Sequence, residues 1–133
     1  MKDCKLTITI NKPVEEVFAF TIDPKNTPKW VASIVAEQTN EWPVKLGTIY
    51  RNQRQNGEWS EYEITKFEQN KAFVMRQKND SFHVGYVFTP ASNDAATMLE
   101  YRVWKDEGEL PESLTVAVLQ GILDKLKRAV EAS

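Results

Sequence analysis

The chain has one cysteine and one histidine among its 133 residues, and only five glycines. A lone Cys4 cannot close an intrachain disulfide, so the fold stands without staples and a reducing, cytoplasmic setting is expected. Cys4 itself reads as a small residue at the start of a strand. A single His83, distant in sequence from Cys4, offers no ligand-spaced metal cluster and no His-assisted nucleophile, so no metal and no cofactor are expected. Basic excess is missing too. Lys plus Arg number 17 against 19 Asp plus Glu, a net charge of -2. That balance excludes bulk nucleic-acid binding, which needs a basic face to displace counterions, and leaves room only for a small local patch. No apolar run approaches the roughly 18 to 20 residues of a membrane span. The N-terminus lacks the apolar segment of a signal peptide. There is no glycine-rich phosphate loop, no repeat, no low-complexity tract and no linker.

What remains is ordinary globular material. An apolar fraction of 41% and a charged fraction of 27% suit a soluble protein. The length suits one domain over residues 1–133, which buries about two-thirds of its unfolded surface and needs no staple.

The order of elements is the informative part. Leu6, Ile8 and Ile10 alternate with polar neighbours, the period of a half-buried strand. Asn11 and Pro13 then open a helix whose first turn holds Glu15 and Glu16 and whose apolar face is Val14, Val17 and Phe18. Asp23-Pro24 and Thr27-Pro28 break it, and a short turn carries Trp30 and Val31. Strands are expected over 33–41, 48–55, 58–68, 72–78, 82–89 and 97–104, separated by turn signals. Asn56-Gly57 is the clearest hairpin signal among them. From Pro111 to Ala132, Leu114, Val118, Leu119, Ile122, Leu126 and Val130 recur at helical spacing. Gly121 sits in that helix, either because sheet or ligand approaches closely or because it lies on an exposed turn.

The ordered set Pro13-Val14-Glu15-Glu16-Val17-Phe18, Asp23-Pro24, Trp30, Leu46-Gly47-Thr48 and Tyr62-Glu63-Ile64-Thr65-Lys66-Phe67-Glu68, closed by the terminal helix, resembles the START-like or SRPBCC superfamily over nearly the whole chain. It looks most like the polyketide cyclase/dehydrase-like branch. The resemblance implies an α+β helix-grip fold. One curved seven-stranded antiparallel sheet wraps the long C-terminal helix, with two short helices between the first two strands. It also implies an interior cavity, while its relatives range from aromatase/cyclases to lipid-transfer and ubiquinone-binding proteins. Where side chains from a bent sheet and a helix fall short of one another, a mainly apolar pocket is left.

Strand parity gives the candidate walls. Tyr50, Tyr62, Met75, Val84, Tyr86, Leu99 and Tyr101 fall on the mostly apolar rows taken as inward. Val118 and Ile122 add one turn of the terminal helix, and Phe20 and Trp30 are placed near the mouth. Each tyrosine is either a core residue or a pocket wall whose hydroxyl orients a ligand. His83 falls on the outer face, open to solvent, as do Glu58, Glu61, Glu63 and Glu68, which read as a charged outer surface rather than as acid/base pairs. Trp59 follows the hairpin tip and is either a contact surface or strand packing. The expected partner is a small hydrophobic or aromatic molecule, held by a monomer or homodimer acting as carrier or sensor. The alternatives are a cyclase or dehydratase acting on an aromatic or polyketide-type substrate, and a protein-interaction module.

Overall fold

The computed structural model describes residues 1–133. Strand β1 (Asp3–Ile10) leads into α1 (Val14–Ile22) and α2 (Thr27–Trp30). Six strands follow: β2 (Ile34–Thr39), β3 (Ile49–Arg54), β4 (Trp59–Glu68), β5 (Ala72–Gln77), β6 (Phe82–Ala91) and β7 (Ala96–Lys105). Helix α3 (Val116–Glu131) ends the chain. All neighbours are antiparallel, in the order β1-β7-β6-β5-β4-β3-β2. The first two strands are therefore at opposite edges of one sheet. The chain between them, α1 and α2, has to cross the concave face, and that crossing determines which part of the groove is filled.

Helix α1 fills one end. Val17, Phe18, Thr21 and Ile22 form its buried stripe. The Phe18 ring stands edge-on to Phe67, Phe73 and Phe88 at 5.9, 5.8 and 5.2 Å. Edge-to-face aromatic packing of this kind adds about 0.5 to 1.5 kcal/mol per pair beyond the area buried.

Helix α3 lies in the groove with Leu119, Leu123, Leu126 and Val130 buried. This stripe includes Leu123, which the sequence spacing passes over, and leaves Val118 at 46% exposure. The helix begins at Val116 rather than Pro111, because Thr115 is its cap: the Thr115 hydroxyl oxygen accepts from the Val118 amide at 3.1 Å. Gly121 is exposed, and a methyl group there would meet nothing within 4 Å, so the exposed-turn alternative is the observed one.

Strand β6 runs past Pro90, which pairs only with Thr97 of β7. The Phe88 amide two residues earlier points to the β5 side, toward the Lys71 carbonyl, so the Pro90 nitrogen faces that same side after β5 has ended. Two strands carry bulges, between Ile34 and Ala36 in β2 and between Ile64 and Lys66 in β4. The first has consequences for the site.

On the outer face His83 is covered rather than open, which corrects the expectation from parity. Its side chain is 14% exposed. The ring stacks on Trp104 with centroids 4.7 Å apart and planes 6° from parallel. The Arg102 guanidinium lies on Trp104 at 4.3 Å from the ring centroid, and His83 Nε2 lies 2.8 Å from an Asp106 carboxylate oxygen. Gly85 makes room for the indole: a Cβ there would lie 3.1 Å from Trp104 Cζ3. Trp59 is 40% exposed beneath the Arg51 guanidinium, 4.9 Å from its ring centroid. Glu61 pairs with Arg51 and Lys78, and Glu68 with Lys66.

Candidate functional site: an interior cavity with one polar corner

Beyond Phe18 of α1, sheet and helix do not meet. A cavity of about 450 Å³ remains between the concave face, α2 and the first two turns of α3. Pockets that hold small molecules are of this size, roughly 300 to 1,000 Å³. Exposed Ser33, Arg54, Pro111, Ser113 and Val118 mark its mouth.

Nine of the eleven residues expected from the sequence line it: Trp30, Tyr50, Tyr62, Met75, Val84, Tyr86, Tyr101, Val118 and Ile122. Two do not. Leu99 is on the inner face but fully buried in the filled end, opposite Ile8 on β1 and Phe88 on β6. Phe20 is off the buried stripe of α1, half-buried, with the Lys29 ammonium 5.7 Å from its ring centroid. Trp30 is also deeper than expected. It is 3% exposed and stands edge-on to Tyr86, so it is a wall and not a lip.

The four tyrosines divide by what their hydroxyls do. Tyr50 donates to the Ile22 carbonyl at 2.6 Å, which secures the last residue of α1. Its ring lines the cavity but its polar tip is committed. Tyr86 and Tyr101 make no hydrogen bond within the protein and are not sealed by packing, so their hydroxyls open onto the cavity. Burial raises the pKa of all four, and the nearby Glu37 charge adds to the effect on Tyr50, Tyr62 and Tyr86. They are neutral hydrogen-bonding groups at any ordinary pH.

Glu37 is the residue that sequence reasoning misses. It sits on β2, directly opposite Asn52 of β3, and lines the cavity. The Thr27 hydroxyl donates to its Oε1 at 2.6 Å. The bulge between Ile34 and Ala36 places it there: Ile34 and Glu37 both face the cavity, while Val35 is 50% exposed. Burial pushes the Glu37 carboxyl up to about 7, against smaller opposing effects of hydrogen bonds from Thr27 and Asn52. The cations of the cavity are engaged elsewhere. Lys105 pairs with Asp80 at 3.2 Å, and Arg54 acts on Tyr62. The result is a mainly apolar chamber with two free tyrosine hydroxyls and one carboxyl, Glu37, that no cation pairs.

Residues 1–131 match the family described as polyketide cyclase/dehydrase and lipid transport. The chain belongs to this family. Its curled seven-stranded sheet around a C-terminal helix is the helix-grip fold. Solved structures agree on the fold. Protein MLL2253 from Mesorhizobium loti superposes with a TM-score of 0.77 at 14% identity, covering 99% of this chain and 98% of that one. A START superfamily protein from Mycobacterium smegmatis gives 0.72 at 13% identity, with 99% and 96% covered. DynU16, a protein of the dynemicin biosynthetic locus, gives 0.75 at 19% identity, covering 98% of this chain and 48% of that one. No curated protein matches the sequence. No helix is long and apolar enough to cross a membrane.

Proposed function

We propose that the chain is one ligand-binding domain, a carrier or sensor that holds a small hydrophobic or aromatic molecule in the interior cavity. The observation that carries this reading is the unfilled volume of about 450 Å³ walled by Trp30, Tyr62, Phe73, Tyr86 and Tyr101. A void of that size lined by rings forgoes packing that a filled core would have, and a flat apolar guest restores it. The reading holds for a monomer or a homodimer. No cofactor enters this reading.

A second reading is favoured by one observation. Glu37, a carboxyl with a pKa near neutrality inside a cavity, has the properties of a general acid or base, as a cyclase or dehydratase acting on an aromatic or polyketide-type substrate would need. An interaction module is less well supported, since it calls for an exposed apolar patch without a cavity.

Native mass spectrometry of protein purified from its own host tests both. A bound small molecule, released intact and identified, is the expected result. If nothing co-purifies and a broad panel of apolar compounds gives no thermal shift, the carrier reading is wrong. A bound compound that is converted on incubation, losing one water or gaining a ring, selects the enzyme.

A further inference from the structure

One polar corner of the cavity lies where α2 meets the β2–β3 edge; Asp80 and Lys105, elsewhere on the wall, pair with each other. In that corner Thr27 holds one oxygen of Glu37 at 2.6 Å and Asn52 flanks the carboxyl. Several elements pack around this corner. From α2 comes Thr27, from β3 Asn52 and Tyr50, from β4 Tyr62 and from β6 Tyr86. The α3 wall is apolar: Leu114, Val118, Leu119 and Ile122. Beyond Tyr50, Asp23 adds a further negative charge. Arg54 of β3 lines the same cavity, but it acts on Tyr62 and makes no ion pair with Glu37, and the groups that hydrogen-bond to the carboxyl are neutral.

A carboxylate in that position is stabilised only by neutral donors, the Thr27 hydroxyl at 2.6 Å and the neighbouring Asn52 side chain. An apolar guest in the chamber removes the water that remains and worsens the case for the charge. The protonated acid gains instead, because its O–H becomes a donor aimed at a guest that has displaced water.

Resting on the cavity reading above, we infer that the ligand is amphipathic, an aromatic or alicyclic body carrying a neutral hydrogen-bond acceptor such as a ketone, and that Glu37 receives the acceptor as a protonated acid. Binding then takes up one proton from solvent, which remains on the Glu37 carboxyl and is shared with the acceptor oxygen. No covalent bond in the ligand changes. Because the free carboxyl titrates near 7, the uptake falls in the neutral range, and affinity declines as pH rises through it.

Acetylnaphthalene is the probe, with ethylnaphthalene as the analogue lacking the acceptor and naphthylmethylammonium as a cationic one. Each is titrated calorimetrically into the full chain and into Glu37→Gln, across pH and in buffers of different ionisation enthalpy. The carboxamide keeps a donor and can still accept from Thr27. Acetylnaphthalene is expected to lose about tenfold in affinity between pH 6 and pH 8 in the parent, with net proton uptake, and to show no pH dependence in Glu37→Gln. Ethylnaphthalene is expected to bind severalfold more weakly than the ketone at pH 6. Without ligand, the parent's urea midpoint relative to Glu37→Gln falls as pH rises from about 4.5 to 7. The folded state holds this proton more tightly than the unfolded chain, so the stability it contributes is present at acid pH and lost through the folded pKa.

Ketone binding that is independent of pH in the parent, or an equal slope in Glu37→Gln, overturns the inference while leaving the cavity reading intact. So does tighter binding of naphthylmethylammonium than of the ketone, which would mean that Glu37 is an ionised partner for a cation. If none of the three probes binds to either protein, the cavity reading fails and this inference fails with it.

Discussion

The two ends of the groove between sheet and α3 are built from the same kinds of residue and come out opposite. At one end Phe18 from α1 plugs the space between Phe73, Phe88 and the lower turns of α3, and Leu99, Leu123, Leu126 and Val130 close around it with no exposed surface to speak of. At the other end Tyr62, Tyr86 and Tyr101 face α3 across open space. The difference is a plug. Helix α1 is nine residues long and inserts a phenylalanine, whereas α2 is four residues long and brings only Thr27 and Trp30 to the wall. Apolar residues on a concave sheet therefore do not by themselves make a core. A second surface has to reach them.

The comparison is broken most severely by emptying the filled end. Phe18→Ala removes the plug from three aromatic partners and should cost about 3 to 5 kcal/mol in urea unfolding. The matching truncation at the open end, Ile122→Ala, removes a half-buried side chain that already faces the cavity and should cost about 1 kcal/mol. Equal losses would mean that the open end is closed in solution.

Filling the open end sharpens it from the other side. Val84 points into the cavity, so Val84→Trp should cost less than the roughly 1 to 3 kcal/mol of overpacking a full core. The same variant should weaken acetylnaphthalene binding by tenfold or more. A large loss of stability with unchanged affinity would show that this row is core.

The smallest effect belongs to a residue outside both ends. Gly121→Ala on the exposed side of α3 has open space before it and should stabilise the protein by about 0.5 to 1 kcal/mol, with probe affinity unaltered. A loss of stability would show that α3 does not keep this face to solvent.

The fold was legible because each level of the sequence agrees. Alternation in β1, the broken early helices, the Asn56-Gly57 hairpin and the terminal apolar spacing all demand the observed order. The site was legible only as far as parity reaches. Parity tells which side of a sheet a residue faces, and it held for Tyr50, Val84, Tyr86 and Tyr101. It cannot tell position along the groove, so it puts Leu99 in the cavity although that residue faces the filled end. It also counts residues without knowing of an inserted one. In β2 the bulge turns Val35 out and Glu37 in, the reverse of what their polarity suggests, and the only carboxyl placed in the polar corner is hidden by it. His83 illustrates a third limit. Its side of the sheet follows from alternation, but the indole that covers it comes from Trp104, its register partner on the next strand.

The placement of the four tryptophans gives the molecule an optical property. Trp42 and Trp59 are largely exposed and Trp104 lies on the outer face, whereas Trp30 alone forms part of the cavity wall. Its indole is 3% exposed, stands edge-on to Tyr86 and has an Nε1 without a hydrogen-bond partner. A fluorophore in that setting emits toward the blue and is shielded from quenchers dissolved in water, while Trp42 and Trp59 are open to them. An absorbing guest in the cavity is nearest to Trp30. Trp30 is thus the indole whose emission reports on whether the chamber is occupied, while Trp42 and Trp59 report on the solvent.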